Sequence, residues 1–308
     1  MERLLVTGID HPLGSNLALA LVERFQVLGL YSQYVVESSE FATTHAAPGD
    51  RAHLEELLHD WRPQWIIHCG PLSSPSWDRT GNEQLAEQEP KAAAHWTKLA
   101  DELSARLTVI SSDVVFSGPR MFHEETSPAH NPSQRAAQVR AMERAFEHSG
   151  ALVIRTHAYG WSPAADHAGF AEQAYESLVS GRPIEADGRR HATPILATDL
   201  AELLVRAYEK RIDGLHHLSG AERTSPFRFV SQLATAFGLQ APGETSAASQ
   251  NSTDGETSLN SKRARRVLEM ATPMLRDGLN RFAEQARQGW RSRCRSLGSV
   301  NSSHEIAA

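Results

Sequence analysis

Apolar, β-branched runs alternate with amphipathic stretches through the first half of the chain, and this alternation limits the fold more than any bulk property. Arg3–Thr7, Gln26–Leu30, Gln64–His68, Leu107–Ser111 and Ala151–Arg155 read as strands. Leu13–Arg24, Arg51–Trp61, Asn82–Arg106 and Pro132–His148 read as helices between them. Leu13, Leu17 and Leu21 recur at helical spacing, as do Leu54, Leu57, Leu58 and Trp61. Strands alternating with helices predict an α/β fold, a parallel sheet joined by crossover helices. Beyond Gly160 the spacing changes. His167–Ser180 and Ala197–Glu209 read as helices, His216–Ser219 as a short strand, and Ser225–Phe237 as a helix with a Ser-Pro start. Ala241–Ser261 is rich in small polar residues and reads as an exposed or disordered loop. A last helix, Thr272–Gln288, presents Met274, Leu275, Leu279 and Phe282 on one face.

This divides the chain into residues 1–160, a smaller α/β lobe at 161–288 containing the flexible 241–261, and a polar tail at 289–308 expected to be disordered. The chain has 308 residues with 40% hydrophobic content, enough for one large domain or a main domain with a smaller lobe. A net charge of −6 argues against nucleic acid as a partner. The two cysteines, Cys69 and Cys294, are too far apart to suggest a disulfide framework or a metal cluster. His216 and His217 face opposite sides of a strand, so no metal site is expected. No signal peptide is evident, and no apolar run approaches the ~20 residues that span a bilayer. The expectation is a cytoplasmic protein without membrane contact.

Leu4-Leu-Val-Thr-Gly-Ile-Asp-His-Pro-Leu-Gly14 is a strand, a turn and a helix start, the setting that a dinucleotide fingerprint requires. It makes the expected sheet a Rossmann-type, doubly wound one. In the G-x-x-G-x-x-G spacing Gly8 and Gly14 are in place, while the middle position is His11. The middle glycine normally lets the backbone approach a diphosphate. His11 puts a side chain there, with the acidic Asp10 beside it. Either the imidazole swings outward and donates to phosphate, or dinucleotide binds poorly; the sequence leaves both open. The second strand ends Gly29-Leu-Tyr-Ser32 with no acid for a ribose and no arginine for a 2′-phosphate, so NADP and NAD are not distinguished. Asp50 precedes the helix at Arg51 and is placed to cap it.

Thr108-Val-Ile-Ser-Ser-Asp-Val-Val-Phe-Ser-Gly118 ends an apolar strand in hydroxyls and a carboxylate, where an open α/β sheet meets its ligands. This run resembles the Ser-Thr-Asp-Tyr-Val-Phe-Asp-Gly signature of dTDP-4-dehydrorhamnose reductases, extended short-chain dehydrogenases/reductases that act on nucleotide sugars. The likeness continues in Ile154-Arg-Thr-His-Ala-Tyr-Gly160, His191-Ala-Thr-Pro-Ile-Leu-Ala-Thr-Asp-Leu-Ala201, Gly214-Leu-His-His-Leu-Ser-Gly220 and, loosely, Ser258-Leu-Asn-Ser-Lys-Arg-Ala264. It covers roughly residues 1–285. The resemblance implies an NADP or NAD cofactor held by Gly8, His11, Leu13, Gly14, Asp50, Gly70 and Ser111. It implies Ser112 as the catalytic hydroxyl, and a nucleotide sugar met by Asp113, Val115, Tyr159 and Thr193. A homodimer or a partner enzyme is left open.

In that family a Tyr-x-x-x-Lys helix completes the machinery. The tyrosine protonates the nascent alkoxide, and the lysine one helical turn away lowers its pKa from near ~10. Here the segment reads Asn131-Pro-Ser-Gln-Arg-Ala-Ala-Gln-Val-Arg-Ala-Met-Glu143. Aligned on Glu143, Arg135 and Val139 take the two places; aligned on Pro132, Ala136 and Arg140 do. Neither register supplies a phenol. Two readings follow: an atypical or impaired NAD(P)H-dependent reductase, or a non-catalytic regulatory or ligand-binding protein on the same scaffold. For the second, the methionine adenosyltransferase β subunit, itself similar to this family, is a precedent.

Overall fold

The computed structural model describes residues 1–47, 50–78, 83–184, 186–241 and 255–298. Seven parallel strands form the main sheet: β1 (Arg3–Thr7), β2 (Gln26–Tyr31), β3 (Ala42–His45), β4 (Trp65–His68), β5 (Arg106–Ser112), β6 (Leu152–Thr156) and β9 (Gly214–His217). Their order across the sheet is β3-β2-β1-β4-β5-β6-β9. A separate pair, β7 (Ala158–Tyr159) and β8 (Ile195–Leu196), lies in the second half. The helices are α1 (Pro12–Leu21), α2 (Arg51–Trp61), α3 (Glu83–Glu102), α4 (Gln134–Ala145), α5 (Phe170–Ser180), α6 (Ala197–Glu209), α7 (Pro226–Phe237), α8 (Lys262–Leu268), α9 (Leu275–Arg287) and α10 (Trp290–Leu297).

The strands are apolar on both faces because each face is roofed by helices. Leu4 and Val6, Trp65 and Ile67, Ile110, and Leu152 and Ile154 enter one core with Leu17 of α1 and Leu200 and Leu204 of α6. Leu5, Ile66, Val109 and Val153, the alternate residues, enter the other with Leu54 and Leu58 of α2, Leu99 of α3 and Val139 of α4. The two-residue period of a strand thus assigns each side chain to a layer. From β1 the sheet grows in both directions, to β2 and to β4. A crevice therefore opens beyond the carboxyl ends of these strands.

Two expectations need correction. The tail, expected to be disordered from 289, is helical over Trp290–Leu297, with Cys294 and Leu297 buried against the body; residues 299–308 lie outside the described residues. Of the loop at 241–261, residues 242–254 also lie outside them. Residues 256–259 are buried and pair with His191 and His123, so this stretch is core and not an exposed linker. The second half also lends a strand to the main sheet, since β9 extends it beside β6 in register from Leu152↔Gly214 to Arg155↔His217. Among the described residues no helix is long and apolar enough to cross a membrane.

Candidate functional site

The turn after β1 is held by close backbone approach. Gly8 has φ +67°, and a Cβ there would stand 1.9 Å from the Cys69 carbonyl oxygen; a Cβ on Gly14 would stand 2.2 Å from the Gly8 carbonyl oxygen. Both positions therefore need glycine. α1 starts at Pro12, which has no N–H to leave unpaired. His11 occupies the waist of the crevice and lines a cleft on either side. The first is about 40 Å³ and is walled by Gly8, Leu30, Tyr31, Ala46, Gly70 and Trp96. The second, about 30 Å³, is walled by Leu13, Ser74, Pro75, Asp78, Gly160 and Phe170. The Gln33 amide N–H donates to His11 Nε2 at 2.6 Å. Asp10, fully buried, does not face this waist. Its Oδ2 accepts the Ser32 and Gln33 backbone N–H groups at 3.0 and 2.8 Å.

Beyond the second cleft lies Ser112, at the end of β5. Its hydroxyl donates to the Ser74 carbonyl at 2.7 Å and accepts the Val114 N–H at 3.2 Å. Arg135 reaches the same Ser74 oxygen from α4 and also donates to the Pro75 and Asp78 carbonyls, both at 3.3–3.4 Å. Burial lowers the Arg135 pKa, against the pull of Asp78 and Asp113, but a guanidinium starts so high that it stays charged. Of the two alignments of α4, Arg135 is the residue brought to Ser112's partner. Ala136 is buried, and Arg140 turns to the Asn131 carbonyl at 2.7 Å.

Asp113 is sealed beneath this point. Oδ1 accepts the Ser76 N–H at 2.9 Å; Oδ2 meets Ser76 Oγ at 2.7 Å, His157 Nδ1 at 2.7 Å and Thr257 Oγ1 at 2.6 Å. Burial pushes its pKa up, but His157 and the Thr257 and Ser76 hydroxyls outweigh burial and hold it below the ordinary carboxylate value. Asp113 is consequently a fixed anion with no face toward the clefts.

Several expected contacts therefore fall elsewhere. Asp113 was expected to meet substrate and is fully buried among protein donors. Val115, fully buried, packs in the core with Val139 and Phe116. Thr193, also fully buried, uses its hydroxyl to accept the Leu259 N–H at 3.0 Å. Tyr159 does line the second cleft, while its phenol oxygen lies 2.8 Å from where a Gly278 Cβ would stand and its ring packs on Phe229 and Phe282. Ser111, on the opposite face of β5 from Ser112, donates to Glu143 at 2.6 Å, and Glu143 pairs with Arg155 at 2.7 Å. Asp50 caps α2, accepting the His53 N–H at 3.2 Å, and lines neither cleft. Gly8, His11, Leu13, Gly14 and Gly70 are brought together at the crevice. Sequence reasoning did not single out His157, Ser76 or Thr257, because a strand-end histidine carries no signal until its carboxylate partner is known. A larger hollow of about 580 Å³ lies off this site, over β6 and β9, and touches neither Ser112 nor Arg135.

The glycine turn and the apolar first cleft stand at the carboxyl ends of β1, β2 and β4, where an open α/β sheet receives its ligands. Ser112 is fully buried and lines neither cleft, its hydroxyl held by the Ser74 carbonyl. A family model described as RmlD substrate binding domain matches residues 1–288. The chain belongs to the RmlD substrate-binding-domain family. A structure of a hypothetical dTDP-4-dehydrorhamnose reductase from Sulfolobus tokodaii is 26% identical, with a TM-score of 0.72, covering 90% of this chain and 99% of that one. A Bacillus anthracis dTDP-4-dehydrorhamnose reductase solved with NADP shares the fold at 19% identity and a TM-score of 0.68, over 92% of this chain and 99% of that one. Methionine adenosyltransferase 2 subunit beta of Xenopus laevis is 27% identical over 203 residues, 62% of this chain. The match spans 59% of that relative's length. α10 begins two residues past the stretch that the RmlD-type model matches.

Proposed function

We propose that this chain is a nucleotide-binding RmlD-type protein, taking NADP or NAD, that no longer reduces a nucleotide-sugar carbonyl. One observation carries the reading: Ser112 and Arg135 both donate to the chain's own Ser74 carbonyl. In the reductases the hydroxyl and the phenol would converge on a substrate oxygen. A bound NADPH or NADH would supply a hydride. Among the described residues no tyrosine stands at Ser112 to supply the proton, and the one carboxyl lining the second cleft, Asp78, its pKa raised by burial, accepts the Phe170 N–H. Arg135 does not give one up at neutral pH. Asp113 is held ionised. The rings of the five tyrosines each pack on another aromatic side chain, Tyr31 on His45, Tyr34 on His167, Tyr175 on Trp161, Tyr208 on Trp65 and Tyr159 on Phe282, and no phenol is hydrogen-bonded to Ser112.

The glycine turn and apolar first cleft support retained nucleotide binding, and the likeness to a methionine adenosyltransferase β subunit supports a binding or regulatory role. The test is calorimetric titration with NADPH and NADH beside NADPH oxidation with a dTDP-4-keto-6-deoxy sugar. Wild type is expected to bind nucleotide and to show no turnover above background. The Arg135→Tyr/Val139→Lys variant, checked for folding by circular dichroism, serves as the comparison. Clear turnover by the wild type would overturn the proposal.

A further inference from the structure

The 32–41 segment leaves β2 at the wall of the first cleft and returns to that wall through β3, which ends beside Ala46 and Ala47. Along the way it is tied down at both ends of the crevice. Ser32 and Gln33 bond to Asp10, and Gln33 also holds His11 at the waist. Tyr34 stacks on His167 of the second half, with ring centroids 4.9 Å apart and planes within 13°. Farther along, the segment meets α10: the Glu37 N–H donates to the Leu297 carbonyl at 2.9 Å, and Arg293 grips Glu40 with two hydrogen bonds, one of 2.9 Å.

α10 in turn is seated on the body. Trp290 donates to Asn16 of α1 at 2.9 Å, and Arg291 and Arg295 bond to the fully buried Glu172 at 3.1 and 2.7 Å. The closed arrangement leaves two buried oxygens without a partner, Asp10 Oδ1 and the Tyr34 phenol.

We propose that residues 32–41 are a strap closed over the nucleotide groove, and that α10 is the latch that keeps it shut. Releasing α10 lifts Gln33 from His11 and widens the waist to admit the diphosphate of a nucleotide. The inference rests on the nucleotide-binding reading and gives that site its control. It also places the control outside the shared fold, because α10 lies beyond the family match.

Arg293→Glu, Glu40→Arg and the charge-swapped pair test it, with NADPH and ADP as probes in calorimetry and amide hydrogen exchange read over residues 32–41. Each single reversal is expected to tighten binding about fivefold, the scale of one exposed ion pair, and to speed exchange in the strap. The swapped pair is expected to restore both toward wild type. Unchanged exchange in folded single variants overturns the latch, whatever binds. Faster exchange that the swap reverses, with no nucleotide bound by any variant, upholds the latch but overturns nucleotide admission and the reading beneath it.

Discussion

Asp113 ties together chain segments far apart in sequence: Ser76 before α3, its own strand end, His157 after β6 and Thr257 on the returning segment. Breaking a buried, hydrogen-bonded pair by removing one charge costs about 3–5 kcal/mol. Asp113→Asn is expected to lower the free energy of unfolding by about that much in urea titrations. An effect below ~1 kcal/mol would mean that the cluster is not holding these segments together. The pH dependence has a defined sign. A carboxyl whose folded pKa is depressed contributes stability above its unfolded value near ~3.9, and that contribution is lost as pH falls through the folded value. The Asn variant should lack this acid limb. The motif at 108–118 was legible in sequence, but the directions of its side chains were not. Ser111 and Ser112 are neighbours on one strand and so serve opposite layers. The group that accepts the Ser112 O–H is the Ser74 main-chain carbonyl, and a carbonyl has no residue type to read.

Among the elements, β1, α2 and α6 fall where the spacing predicts them, because long apolar periodicities and an aspartate cap leave little choice. β3 was not predicted: it is four residues of Ala, Thr and His at a sheet edge, mostly half-exposed, without an apolar run. α10 was read as loose because Arg291, Arg293 and Arg295 suggest a solvated segment. Each instead pairs with a carboxylate, Glu172 or Glu40, and Trp290, Cys294 and Leu297 recur at helical spacing on the buried side. Truncation after Gly289 would strand Glu172 without its two arginines. The expected loss is about 3 kcal/mol, read as a lower thermal midpoint in scanning calorimetry; an unchanged midpoint would show that the helix is only draped on the surface.

Across the whole molecule, four histidines among the described residues have pKa values lowered by burial: His95, His123, His216 and, most strongly, His217. An unfolded chain takes up protons on these rings near pH ~6.5, whereas the folded chain does so only at lower pH. Stability must therefore decline as pH falls below ~6.5, by about 1.4 kcal/mol for each unit by which a ring's pKa is lowered. Thermal midpoints measured from pH 7.5 to 5 are expected to drop, and His217→Gln should flatten the slope. A flat profile in the wild type would show these rings to be wetter than their packing implies.

The place of β9 beside β6 bears on how this protein can be divided. A fragment ending near residue 160 would keep the glycine turn and Ser112, yet it would expose the free rim of β6 from Leu152 to Thr156 and strip α6 from the face carrying Leu4 and Ile154. Such a bare apolar rim invites pairing with another chain. The two halves are therefore better regarded as one cooperative body, and a soluble nucleotide module cannot be had by cutting between them.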